Sequence, residues 1–132
     1  MLFAVQSKDI DRESWWIRPL LEKFDAATDF AATPDDVLDQ ARRAEAQIWG
    51  YYDGEFRGVV ATQIRKSGKG SMLVIWICFG VDVRELIEDA YQEIEDWARS
   101  IGCRRVQIVG RKGWEKVLEG FESRAVVLEK RL

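Results

Sequence analysis

Nine uncharged residues, Ser71-Met-Leu-Val-Ile-Trp-Ile-Cys-Phe79, lie between Gly70 and Gly80 and restrict the folds open to this chain more than any other stretch. The run is too short to cross a bilayer and too continuous for a half-exposed strand, so it predicts a central strand buried on both faces. Behind it Val83, Leu86, Ile87, Ala90, Tyr91, Ile94, Trp97, Ala98 and Ile101 recur at helical spacing. That stripe predicts one long amphipathic helix, stopped by Gly102. Cys103 to Val109 then alternates, with Val106 and Ile108 on one side, and ends at Gly110. A strand, a crossover helix and a second strand make a parallel pair. The start of such a helix is where bare backbone N–H groups would meet an anionic cofactor.

The rest of the chain supplies partners for that unit. Leu2 to Val5 predicts a first strand. Asp9 to Thr28 is helical, with Trp16, Leu20, Leu21, Phe24 and Ala27 along one side. Pro19 predicts either a turn ending at Arg18 or a main helix that opens with Pro19. Thr33-Pro34-Asp35-Asp36 opens another helix, with Thr33 as N-cap, running to about Ala46. Gln47 to Tyr52 and Phe56 to Ile64 predict a hairpin around a two-residue Asp53-Gly54 turn. Arg65 to Gly70 reads as a flexible basic turn into the apolar strand. After Gly110, Arg111 to Leu118 predicts a short helix burying Trp114, Val117, Leu118 and Phe121, and Ala125 to Leu128 a closing strand. The expectation is a single domain, residues 1–132, of class α/β: a mixed central sheet in the order β-α-α-β-β-β-α-β-α-β with helices on both faces.

Composition works mainly by exclusion. Histidine is absent, which removes the commonest general base, the commonest zinc ligand and every nucleophile arrangement built on histidine. No metal site is expected. Cys78 and Cys103, both inside predicted strands, read as buried free thiols of a reducing compartment. The net charge of −3, with both signs interspersed, argues against a dedicated nucleic-acid binder. Nothing predicts a membrane segment, and Met1 to Lys8 lacks a charged leader followed by an apolar core. Six Trp residues exceed what the core needs and leave room for an aromatic surface used in assembly.

The element order, taken with Trp97-Ala-Arg-Ser-Ile-Gly102, resembles the GNAT superfamily of acetyltransferases. The tail is similar to small GNAT-like proteins of tailed phages and prophages, through Val109-Gly-Arg-Lys-Gly-Trp-Glu-Lys-Val-Leu118, Gly120-Phe121 and Leu128-Glu-Lys130, together with Trp16 and Thr33-Pro34-Asp-Asp-Val37. Some of those relatives are acetyltransferases, and others look like internal virion components. The resemblance implies a cytoplasmic protein of an infected bacterial cell, or one carried in the virion.

It also implies where acetyl-CoA would sit. Active members open the crossover helix with Arg/Gln-x-x-Gly-x-Gly/Ala, whose N–H groups hold the pyrophosphate. Counting back from Gly102, the two small positions fall at Glu85 and Ile87, neither of them small. Asp82 and Glu85 have the spacing of a capping box, which predicts a helix that satisfies its own first donors. Carboxylates there would repel a phosphate, and Arg84 is the lone counterweight. Cys78 and Phe79, at the end of the apolar strand, and Arg111 and Lys112, after Gly110, complete the candidate cofactor residues. Cys78 as a nucleophile is set against an inert buried thiol. The superfamily often places an acid-donating Tyr four residues before the Gly-Phe pair; here that position is Lys116.

Two functions follow. The first is a non-catalytic member of the fold with a degenerate acetyl-CoA loop and no cofactor, acting through contacts with proteins, virion components or copies of itself. The second is an acetyl-CoA-dependent N-acetyltransferase with an atypical site. It would hold the adenosine phosphates with Arg111, Lys112 or the Lys66–Lys69 turn, with Glu55 or Gln63 organising the acceptor amine.

Overall fold

The computed structural model describes residues 1–28, 32–109, 118–124 and 128–132, and of residues 83, 87 and 89 the backbone. Five strands form one sheet in the order of the chain: β1 (Leu2–Val5), β2 (Gln47–Tyr52), β3 (Phe56–Ser67), β4 (Gly70–Phe79) and β5 (Cys103–Ile108). The first four pair antiparallel, and β4 pairs with β5 in parallel. Helices α1 (Ile10–Thr28) and α2 (Pro34–Arg42) cover one face. Helices α3 (Val83–Asp89) and α4 (Tyr91–Ser100) cover the other. This is the expected mixed sheet with helices on both faces. The predicted helix from Arg111 and strand from Ala125 lie largely outside the described residues, but Leu118 is buried and Phe121 packs 5.7 Å from the Tyr91 ring.

The apolar run folds as predicted, with one irregularity that matters. The β3–β4 register shifts between Ala61↔Ile77 and Thr62↔Ile75, which leaves Trp76 as an extra residue. Strict alternation would send Ile75 and Ile77 to the same face. Instead Leu73 and Ile75 join the core under α3 and α4, while Trp76 and Ile77 both join the core under α1 and α2. A bulge of this kind inverts the inside–outside pattern of everything after it. It turns Cys78 toward the α3 side and Phe79 toward α1, where Phe79 meets Phe24 edge-on at 6.0 Å.

Three sequence expectations are corrected. First, α1 runs unbroken through Pro19. A mid-helix proline forfeits the bond to the carbonyl four residues back, here that of Trp15; both residues are exposed, so water can replace that bond. Second, the crossover is two helices, parted at Ala90 (φ −137°, ψ −27°), although neither glycine nor proline marks the break. Leu86, Ala90, Tyr91, Ile94 and Ala98 still share one core, so the apolar stripe survives the kink. Third, the β2–β3 connection spans Asp53 to Glu55, with an irregularity at Tyr51/Tyr52, and β3 extends through the basic residues to Ser67.

The α2 start is as expected. Thr33 Oγ1 accepts from the Asp36 N–H at 3.1 Å, and Asp36 Oδ2 accepts from the Thr33 N–H at 3.0 Å. The Thr33 N–H, and after it the Thr33 side chain, holds the Asp36 carboxyl below its ordinary range.

Candidate cofactor and acceptor site

The site is built where β4 outruns β5. Their parallel register ends at Ile75↔Ile108, followed by a bond from the Val109 N–H to the Ile75 carbonyl at 2.9 Å. Among the described residues β4 continues to Phe79 without a further β5 partner. It then turns sharply through Gly80 and Val81 into α3. Two glycines make that turn possible. A Cβ on Gly80, at φ +80°, would stand 2.1 Å from the Arg57 carbonyl oxygen, and one on Gly58 would stand 2.3 Å from Val81 Cγ2.

Asp82 caps α3, but not through the predicted box. Its Oδ1 accepts from the Arg84 N–H at 2.8 Å, and its carbonyl accepts from the Leu86 N–H at 2.9 Å. Glu85 does not reach back. Its carboxylate accepts from Nη1 and Nη2 of Arg57, at 3.0 and 3.3 Å, and from the Tyr51 hydroxyl at 3.2 Å. Arg57 also donates to Asp53 at 2.5 Å and lies 5.8 Å over the Tyr51 ring. Asp53, then Glu85, raises the Arg57 pKa further. Glu85 is therefore drawn toward the hairpin, where it shares the one charge of Arg57 with Asp53, while Asp82 stays at the α3 start. Sequence reading missed this link, because 28 residues separate Arg57 from Glu85 and no local pattern joins them.

The remaining candidates divide. Arg84 is exposed beside the α3 start, and Phe79 is half-buried against Phe24. The thiol of half-buried Cys78 is pushed up to about 11, first by burial and then by the Asp82 charge, which disfavours the thiolate that a nucleophile needs. Arg111, Lys112 and Lys116 lie outside the described residues. The Lys66–Lys69 turn is not part of this site: it stands at the opposite end of β4, which at ~3.3 Å per residue is roughly 30 Å away.

Glu55 sits on the hairpin at the same end of the sheet, on the rim of a groove of about 450 Å³ between α1 and the hairpin. Trp15, Leu20, Tyr52 and Phe56 line it, with Lys23 on the other rim. Phe56 stacks on Trp16 at 4.5 Å, and Trp15 and Tyr52 meet Phe56 edge-on at 5.3 and 5.0 Å. Trp15 remains 67% exposed. Its place off the apolar stripe of α1 was the available signal. Gln63 is occupied elsewhere, donating to Gln40 at 2.6 Å.

No family model matches the sequence, and no curated protein matches it. Solved structures do. A probable acetyltransferase superposes over 100% of this chain and 96% of its own, with TM-score 0.73 and 15% identity. An aminoglycoside acetyltransferase from an uncultured soil metagenomic sample, solved with sisomicin, covers 100% and 95% at TM-score 0.72 and 11% identity. A ribosomal-protein-alanine N-acetyltransferase from Brucella melitensis biovar Abortus 2308 covers 99% of both chains at TM-score 0.70 and 10% identity. The fold is that of the GNAT acetyltransferases. At these identities the likeness speaks for architecture alone. Among the described residues no cluster of His, Cys, Asp or Glu could hold a metal ion, and no helix is long and apolar enough to cross a membrane.

Proposed function

We propose that this chain is an N-acyltransferase that takes its acyl group from an acyl-coenzyme A. The observation that carries the reading is the length of β4 beyond its last β5 partner. A strand edge offers alternating N–H and C=O groups, and an extended chain carrying amides can add to it as a further strand. The pantetheine arm of coenzyme A is such a chain. Its diphosphate fits the α3 start less fully, since Asp82 already takes the Arg84 N–H, but Arg57 draws Glu85 toward the hairpin and lessens the charge that would oppose it.

Bound there, coenzyme A supplies an activated thioester. The chain's own part is to hold the two reactants together, which accounts for large rate gains without acid–base help. Glu55 orients the acceptor amine at the groove rim, where aromatic faces also favour a cation. Half-buried Cys78, with its thiolate disfavoured, does not carry the acyl group: the unprotonated amine attacks the thioester carbonyl, the C–S bond breaks, and coenzyme A leaves as the thiol as the amine gives up a proton. Calorimetric titration with acetyl-CoA tests this. Binding tighter than about 100 μM, or ~5.5 kcal/mol, is the expected result. No heat up to about 1 mM would overturn it.

The second reading is a non-catalytic, phage-type protein acting through contacts with other proteins in the infected cell or the virion. What favours it is the exposed Trp15 beside the groove, together with Glu85 and Ile87 where small residues would ease phosphate approach.

A further inference from the structure

We propose that the end of the sheet opposite the acyl-transfer site binds the phosphodiester backbone of nucleic acid without reading its sequence. This does not depend on the acyltransferase reading. Arg65, Lys66 and Lys69 from the β3–β4 turn, with Arg104 and Arg105 from the start of β5, surround one hollow of about 90 Å³. All five are exposed, and no acid lines the hollow. Register explains the gathering. Arg65 pairs with Met72, and Met72 with Arg105, so the two guanidinium groups stand in one row across three strands. The Ser71/Met72 register shift puts Arg104 as an extra residue beside them.

None of these five side chains forms an ion pair with another described residue, whereas Arg12, Arg18, Arg42, Arg43, Arg57, Arg99 and Arg124 all do. Lys8, Lys23 and Arg84 form no ion pair with a described residue either; what sets these five apart is that they share one hollow that no acid lines.

The chemistry favours phosphate over an acidic protein. A protein interface needs an apolar or aromatic centre shielded from water. This hollow has only Met72. Backbone binding to nucleic acid needs cations alone, and three of the five are arginines, whose planar fork matches a phosphate. No aromatic residue lines the hollow, so bases would not be stacked or distinguished.

The test uses the full chain and fluorescence anisotropy of labelled single-stranded DNA of mixed sequence, about 20 nucleotides long. Binding is expected at about 50 mM salt, weakening roughly 100-fold by about 200 mM if all five cations meet phosphates. Affinity should be indifferent to base sequence. The double variant Lys66→Gln/Lys69→Gln should lose at least about tenfold at low salt and flatten the salt slope. A second double variant, Arg65→Gln/Arg105→Gln, should do the same. Absence of binding at about 50 mM salt, or unchanged binding in both variants, would overturn the proposal. So would a poly-glutamate peptide that binds as tightly as the oligonucleotide, which would mark the surface for acidic proteins. Acetyl-CoA affinity in the same variants should not move, which separates this site from the one beyond Phe79.

Discussion

At its C-terminal end β4 leads into a turn where Arg57 lies between Asp53 and Glu85; at its N-terminal end five cations share a hollow with no acid. Both ends are rich in charge, and both belong to the same ten-residue strand. They differ in whether the cations are paired within the chain. The paired cluster is a scaffold: it ties the hairpin to α3 and, with one cation between two acids, lessens a field that would oppose an anion. An unpaired one contributes little to folding and leaves its attraction for something outside.

Substitutions can break that contrast. The largest effect is expected at Gly80. Gly80→Val drives a side chain into the Arg57 carbonyl from a positive φ, and should cost about 3 kcal/mol or more in urea unfolding. At the basic end Arg105→Ala should stay within about 0.5 kcal/mol. Equal losses at the two ends would erase the distinction.

Next in size is the paired cluster itself. Arg57→Ala frees Glu85, and should weaken acetyl-CoA binding roughly tenfold in calorimetry. Adding Glu85→Gln should restore it. If the double variant binds no better than the single one, lessening that charge is not what Arg57 provides.

The thiol beside the site gives a third, independent reading of its surroundings. Alkylation of Cys78 in the folded chain at mildly alkaline pH should be slower than that of a free cysteine by more than about tenfold. Reaction at the free-thiol rate would mean that this end is open and wet rather than buried.

The smallest effect lies away from both ends and calibrates the rest. Thr33→Ala removes the α2 cap and should cost about 1 kcal/mol. Asp36 titrates below its ordinary range in the folded chain, so its contribution is full above the unfolded carboxyl value and is lost as pH falls through the lowered one. Unfolding midpoints measured from neutral into acidic pH should therefore drop more steeply for the parent than for Thr33→Ala.

Much of the fold was legible in the chain. The apolar run, the hairpin, the Thr33 cap and the helical stripe each rest on neighbours within a few residues, where spacing and local hydrogen bonding decide the outcome. The errors fall where distant contacts override local preference. Pro19 stays inside α1 because the bond it forfeits lies on the exposed side. Asp82 and Glu85 have capping-box spacing, yet Glu85 is drawn off by Arg57 and Tyr51, which only sheet pairing brings near. The Trp76 bulge had no signal in an uninterrupted apolar run, since alternation cannot be read where every residue is apolar.

Local order along the chain was enough for the elements, their succession and the crossover that makes β4 and β5 parallel, because those follow from period and turn chemistry. Charge was different. Read along the chain it is evenly mixed and close to neutral, and it predicted no anionic partner beyond a cofactor. Register across three strands collected residues 65, 66, 69, 104 and 105 at one end, and folding brought Arg57 to Glu85 at the other. Electrostatic energy depends on distance in space rather than along the sequence, so where this protein's cations are paired and where they are not was settled only once the sheet had formed.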